Sequence, residues 1–154
     1  MGNELYQLIT WFLVITGWVV VHYLSAVRDR QKDIRDLKLK TIQAIIDAEK
    51  LAIDFHTAVS FDLSKTQQLT SMIQRISTDM TRPPLATFQN YSKVVKEFRQ
   101  AITLQNFDIS RFQRQQASSK IVADINYATE QIIRALETGY DNRYMRAWWQ
   151  IFRI

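Results

Sequence analysis

The chain carries two histidines, His22 and His56, and no cysteine. Thiolate nucleophiles, thiolate metal sites and a disulfide framework are therefore excluded for it. His22 falls in an apolar stretch and reads as a neutral imidazole at a membrane interface; the competing reading is a proton-responsive group inside a span. His56 has Asp54 beside it and Glu49 two helical turns upstream, but no Glu-x-x-His or His-x-x-x-His pair exists. A zinc or di-iron helix site is thus not expected, and His56 reads as a packing or surface residue. Asp47 and Glu49 point to different faces of a helix and do not share a proton. Asp124, between Ala123 and Ile125, is expected on an outer face, paired with Lys120 four residues before it. No serine sits in the glycine frame of a hydrolase elbow, and three isolated glycines build no phosphate loop. Catalysis, a cofactor and a metal are not expected.

What remains to be positioned is a surface, and one stretch organises it. Residues 8–27 carry no formal charge, and a helix of that length spans about 30 Å, the thickness of a bilayer's hydrocarbon. Soluble helices this long show a polar stripe, and this one has none. Tyr6 and Trp11 near one end, and His22 and Tyr23 near the other, suit the two interfaces. A cleaved signal peptide would need a positive leader and a shorter apolar run, whereas Met1 to Gln7 hold one acid and no base. The stretch is expected to be a transmembrane anchor, with residues 1–7 a short external tail.

Arg28, Arg30, Lys32, Arg35, Lys38 and Lys40 follow the span directly. The positive-inside bias then places the C-terminal side in the cytoplasm. Arg28 and Arg30 should meet the lipid headgroups. Between Asp62 and Lys120, nine bases face four acids, a surplus that favours anionic lipid over nucleic acid, since no nucleic-acid module is recognisable. The segment 139–154 reads as a second interfacial element. Arg143, Arg146, Gln150 and Arg153 share one helical face, with Tyr144, Trp148, Ile151 and Phe152 on the rest and Trp149 at the border. Whether these rings lie on the membrane or in a core stays open.

Residues 28–138 are expected to form a cytoplasmic antiparallel bundle of about four helices, making the whole chain all-α. The first helix should run from about Asn3, a candidate cap, to about Val59. Ile34, Leu37, Thr41, Ala44, Ala48, Leu51, Phe55 and Ala58 lie on a coiled-coil-like a/d track, widened by Ile42, Ile45 and Ile53. Ser64 with Gln67 suggests a capping box for a second helix, whose inner face is Leu69, Met72, Ile73, Ile76 and Met80. Pro84 is read as opening a third, with Phe88, Tyr91, Val95, Phe98 and Ile102 inward and Lys93, Lys96 and Arg99 on an outer basic edge. Asp108 or Ser110 should cap a fourth, which carries Phe112, Ile121, Val122, Ile125, Ala128, Ile132 and Leu136 and which Gly139 closes.

The join Gly17-Trp18-Val19-Val20-Val21-His22-Tyr23-Leu24-Ser25-Ala26-Val27-Arg28-Asp29-Arg30 resembles the start of uncharacterised small bacterial single-span membrane proteins. The likeness covers about the first fifty residues, although the unbroken basic run of that group is diluted here by Asp33 and Asp36. It implies a bacterial inner-membrane location and no mechanism. The leading expectation is a non-catalytic, membrane-anchored interaction or scaffold module that partners itself or another membrane or cytoplasmic protein. The alternative is a prophage- or defence-associated effector or regulator of membrane integrity that assembles through its span. Thr16, Gly17 and Ser25 form no small-xxx-small pair for such assembly.

Overall fold

A computed structural model describes residues 2–87, 91–103 and 106–145 of the chain. Every regular element among them is helical: α1 (Gly2–Thr57), α2 (Leu63–Thr81), α3 (Tyr91–Thr103) and α4 (Lys120–Tyr140), with a 3-10 turn at Leu85–Thr87 and a π-helical turn at Asp141–Met145. The chain divides into two compact units, Met1–Asp36 and Leu37–Ile154.

The first unit is helical from Gly2 onward and leaves its large apolar residues from Leu5 to Leu24 exposed. Asn3, the expected cap, already lies within α1. Thr10 returns its hydroxyl to the Tyr6 carbonyl at 2.8 Å, so even this polar group is satisfied within the helix. Trp18 and His22, one turn apart, hold their rings 4.2 Å from centroid to centroid.

The second unit is organised by a core drawn from all four helices. Ile45, Ala48, Ala52 and Phe55 of α1 meet Leu69, Ile73, Ile76 and Met80 of α2, Tyr91, Phe98 and Ile102 of α3, and Ile125, Ala128, Ile132 and Leu136 of α4. The α2 and α4 faces are those their spacing predicts. On α1 the buried stripe departs from the heptad track: Ile45 and Ala52 are buried, while Ala44 and Leu51 are only half-buried. A 3.6-residue helix drifts away from a strict seven-residue repeat, and the wider stripe supplied Ile45 but not Ala52.

Three starts differ from the sequence reading. Asp62, not Ser64, caps α2, accepting from the backbone N–H of Ser64 at 2.9 Å and of Lys65 at 3.2 Å. Its short carboxylate satisfies two orphan donors at once, which outcompetes the box two residues later. Pro84 does not open α3. Leu85 turns inward and is fully buried, so the chain makes a 3-10 turn first and α3 begins at Tyr91. Phe88 lies outside the described residues.

The fourth helix starts at Lys120 behind the cap Ser119, about ten residues later than expected. Asp108 spends its carboxylate on the N–H and hydroxyl of Ser110, at 3.0 and 2.8 Å, closing a local turn instead of a helix. Gly139 does not end α4 either. No described glycine has a positive φ, and the helix runs on to Tyr140 before widening into the π-helical turn.

Candidate functional site

Two features of the chain offer a surface to something else, and one buried aromatic cluster adjoins the second of them. The first is the apolar face of the first unit. α1 contains a window long and apolar enough to cross a membrane, and none of that window is buried. From Leu8 to Leu24 its large apolar side chains are 49% to 69% exposed. Fully burying one such side chain contributes roughly 1.5–3 kcal/mol. Ten of them are Val, Leu, Ile or Phe, and covering the half or more of each that is exposed would contribute on the order of 8–20 kcal/mol. That is comparable with the roughly 5–15 kcal/mol net stability of an ordinary domain. The stretch therefore offers a large surface to an apolar cover. Arg28 and Arg30, which follow it, are exposed.

The second feature is a groove of about 1120 Å³ between α2 and α3. Thr70, Gln74, Ser77 and Thr81 line one wall; Ser92, Lys96, Arg99 and Thr103 line the other. Both sets follow the same i, i+4, i+7, i+11 spacing, which keeps each on one helical face. Ile73, Met80, Val95 and Phe107 supply its apolar surface. The outer basic edge read from the sequence is thus split. Lys93 lies 3.9 Å from Glu97 in an exposed ion pair, whereas Lys96 and Arg99 line the groove and enter no ion pair among the described residues.

The scaffold beneath is an aromatic nest at the end of α1. Phe55 is fully buried, with the rings of Phe61, Phe107 and Phe112 at 5.7, 5.4 and 5.4 Å. The connector between α3 and α4 wraps this end. Asn106 donates its amide to the Gln113 carbonyl at 2.9 Å and accepts from the Gln113 N–H at 2.8 Å. Next along, the Gln115 N–H reaches the His56 carbonyl at 2.8 Å, and Arg114 Nε reaches the Thr57 carbonyl at 3.2 Å. Orphan carbonyls at the C-terminus of α1 are satisfied by a remote segment instead of a glycine turn.

His56 is fully buried in this nest. Its Nε2 lies 3.0 Å from the Ile102 carbonyl; a carbonyl only accepts, so Nε2 carries the proton and Nδ1 is a bare acceptor. Nδ1 has no partner among the described residues. Burial pushes the imidazole pKa down, against a smaller upward pull from the Ile102 carbonyl. Burial likewise raises Glu49, which Lys50 and the Thr129 hydroxyl partly oppose; that hydroxyl does not reach normal hydrogen-bonding geometry. Asp124 is half-buried, and no ion pair joins it to Lys120 among the described residues. The described residues hold no cluster of three or more His, Cys, Asp or Glu placed to bind a metal.

Of the C-terminal interface residues, Arg143 is exposed on the π-helical turn. Arg146, Trp148, Trp149, Phe152 and Arg153 lie outside the described residues. Tyr144, grouped with the membrane-facing rings in the sequence, packs against the core instead, 5.3 Å from Tyr140. Tyr140 in turn lies 4.3 Å beneath the Lys38 ammonium. The groove, the nest and the connector were not foreseen; the hydroxyl and basic spacings were visible, but which helix faced which was not. Comparisons with protein-family models, curated proteins and solved structures return no match for this chain.

Proposed function

We propose that the chain is a membrane-anchored helical interaction module of a bacterial inner membrane. In this reading the apolar cover of α1 is the bilayer. Residues 8–27 span it, the N-terminus lies outside, and the second unit works in the cytoplasm as an antiparallel bundle. The observation that carries the proposal is the completely uncovered apolar window on α1. A soluble core helix of that composition would be buried on one side at least. The basic run from Arg28 to Lys40 supports the orientation. The partner is a second copy of this chain or another membrane or cytoplasmic protein, and the module catalyses no reaction.

The test is fractionation followed by proteolysis. The chain should stay with membranes through carbonate washing, and protease outside intact spheroplasts should leave residues 37–154 whole. Release by carbonate removes the anchor; digestion of that unit from outside reverses the topology. The C-terminal basic and aromatic residues Arg143, Arg146, Trp148, Trp149, Phe152 and Arg153 belong to the same proposal, as an interfacial element. In a Trp11→Phe/Trp18→Phe background, brominated lipids should quench the remaining tryptophans. Emission that is blue and indifferent to bromine assigns Trp148 and Trp149 to the protein interior.

A further inference from the structure

We infer that the groove between α2 and α3 is a binding site for an organic phosphate carrying an apolar body. The inference starts from what the groove offers. Thr70, Thr78, Thr81 and Thr103 donate their hydroxyl protons to carbonyls of their own helices, at 2.8, 2.9, 3.0 and 2.9 Å. The donors left are the Gln74 amide, the Ser77 and Ser92 hydroxyls, the Lys96 ammonium and the Arg99 guanidinium, which enter no side-chain hydrogen bond among the described residues. Among the described residues no carboxylate lines the groove. It is therefore rich in donors and positive charge, with no negative charge of its own.

Lys96 and Arg99 stand three residues apart on one helix, where like charges repel. Lys93 lies 3.9 Å from Glu97 and Arg75 4.0 Å from Asp79, whereas these two enter no ion pair among the described residues. A head bearing nearly two negative charges and several acceptor oxygens matches two cations and three neutral donors better than a single carboxylate does. The apolar surface fixes the rest of the ligand. Ile73, Val95 and Phe107 line the groove, and a second depression of about 420 Å³ continues it past Thr70, Gln74 and Phe107 to Phe61 and Leu63. Leu63 is 63% exposed there, and an apolar body lying along this continuation would cover it. The volume suffices for a drug-sized ligand. The site stands whether or not α1 crosses a membrane.

The probe is 1-naphthyl phosphate, titrated by fluorescence into the full chain held in phosphatidylcholine nanodiscs. Saturable one-to-one binding is expected, with 1-naphthol and inorganic phosphate each about tenfold weaker or more. Lys96→Ala/Arg99→Ala should lose about tenfold or more in affinity with helicity unchanged; Lys93→Ala, outside the groove, should bind like wild type. Nanodiscs containing phosphatidic acid, a phosphomonoester lipid, separate the two sources of the phosphate, with phosphatidylglycerol discs of equal surface charge as the reference. An apparent affinity of wild type weaker than in that reference assigns the groove to a lipid headgroup, and an equal one assigns it to a soluble phosphate ester. No saturable binding in phosphatidylcholine discs, or equal binding by the double variant, overturns the site.

Discussion

Replacing Phe55 by alanine tests the nest most directly. The ring is wholly buried and meets four others, the closest being the His56 imidazole at 5.1 Å. Truncation removes the transfer free energy of the ring and leaves a cavity, together about 3–5 kcal/mol for a buried phenylalanine. Edge-to-face contacts with Phe61 and Phe107 add roughly 0.5–1.5 kcal/mol each, not additively. A loss of about 4 kcal/mol is a thousandfold shift toward unfolding, a large share of the roughly 5–15 kcal/mol available to a domain. Urea unfolding followed by helicity measures it, with Val59→Ala as control because Val59 is 80% exposed and should change stability by under ~0.5 kcal/mol. The Gln115 amide, bonded to the His56 carbonyl, should also exchange with solvent sooner in Phe55→Ala. If Phe55→Ala unfolds within about 1 kcal/mol of wild type, the nest does not hold the unit together.

His56 gives a pH dependence whose sign is fixed. Its folded pKa is depressed from 6.5, so below about 6.5 the unfolded chain takes up a proton that the folded chain resists. Stability should be full above that value and fall as pH drops through and below it; His56→Gln, which keeps a donor for Ile102, should flatten the slope in urea midpoints across that window. Asp62→Ala should cost about 1 kcal/mol through the lost cap, while Ser64→Ala costs little, and the reverse order would restore the capping box. Asn106→Ala breaks both bonds to Gln113 and should cost about 1–3 kcal/mol; thermal melting indistinguishable from wild type would mean the clasp is idle.

The sequence disclosed what depends on neighbours along the chain and concealed what depends on distant ones. The long apolar first helix was legible because charge is absent from residues 8–27, and the α2 and α4 faces because Leu69, Ile73, Ile76 and Met80, or Ile125, Ala128, Ile132 and Leu136, recur at helical spacing. The shifted stripe on α1 was only half legible, since Ile45 and Leu51 are equally apolar and packing alone chose between them. The connector was illegible for a stronger reason. Phe107 and Phe112 are placed by Phe55, and Asn106 by Gln113, and no local pattern announces such partners. Lys96 and Arg99 were recognised as a basic edge, but the groove they line exists only because α2 lies across from them.

The remote closure of α1 also sets an order of events. The chain is made from its N-terminus, and helix residues up to Thr57 emerge well before Arg114 and Gln115. Until those two arrive, the last carbonyls of α1 depend on water, and the end of the helix frays. The segment synthesised first is thereby the one completed late, after α2, α3 and the connector have all been made. A ribosome-bound chain stopped between Thr103 and Gln115 should hold α2 formed while the last turn of α1 stays open to exchange.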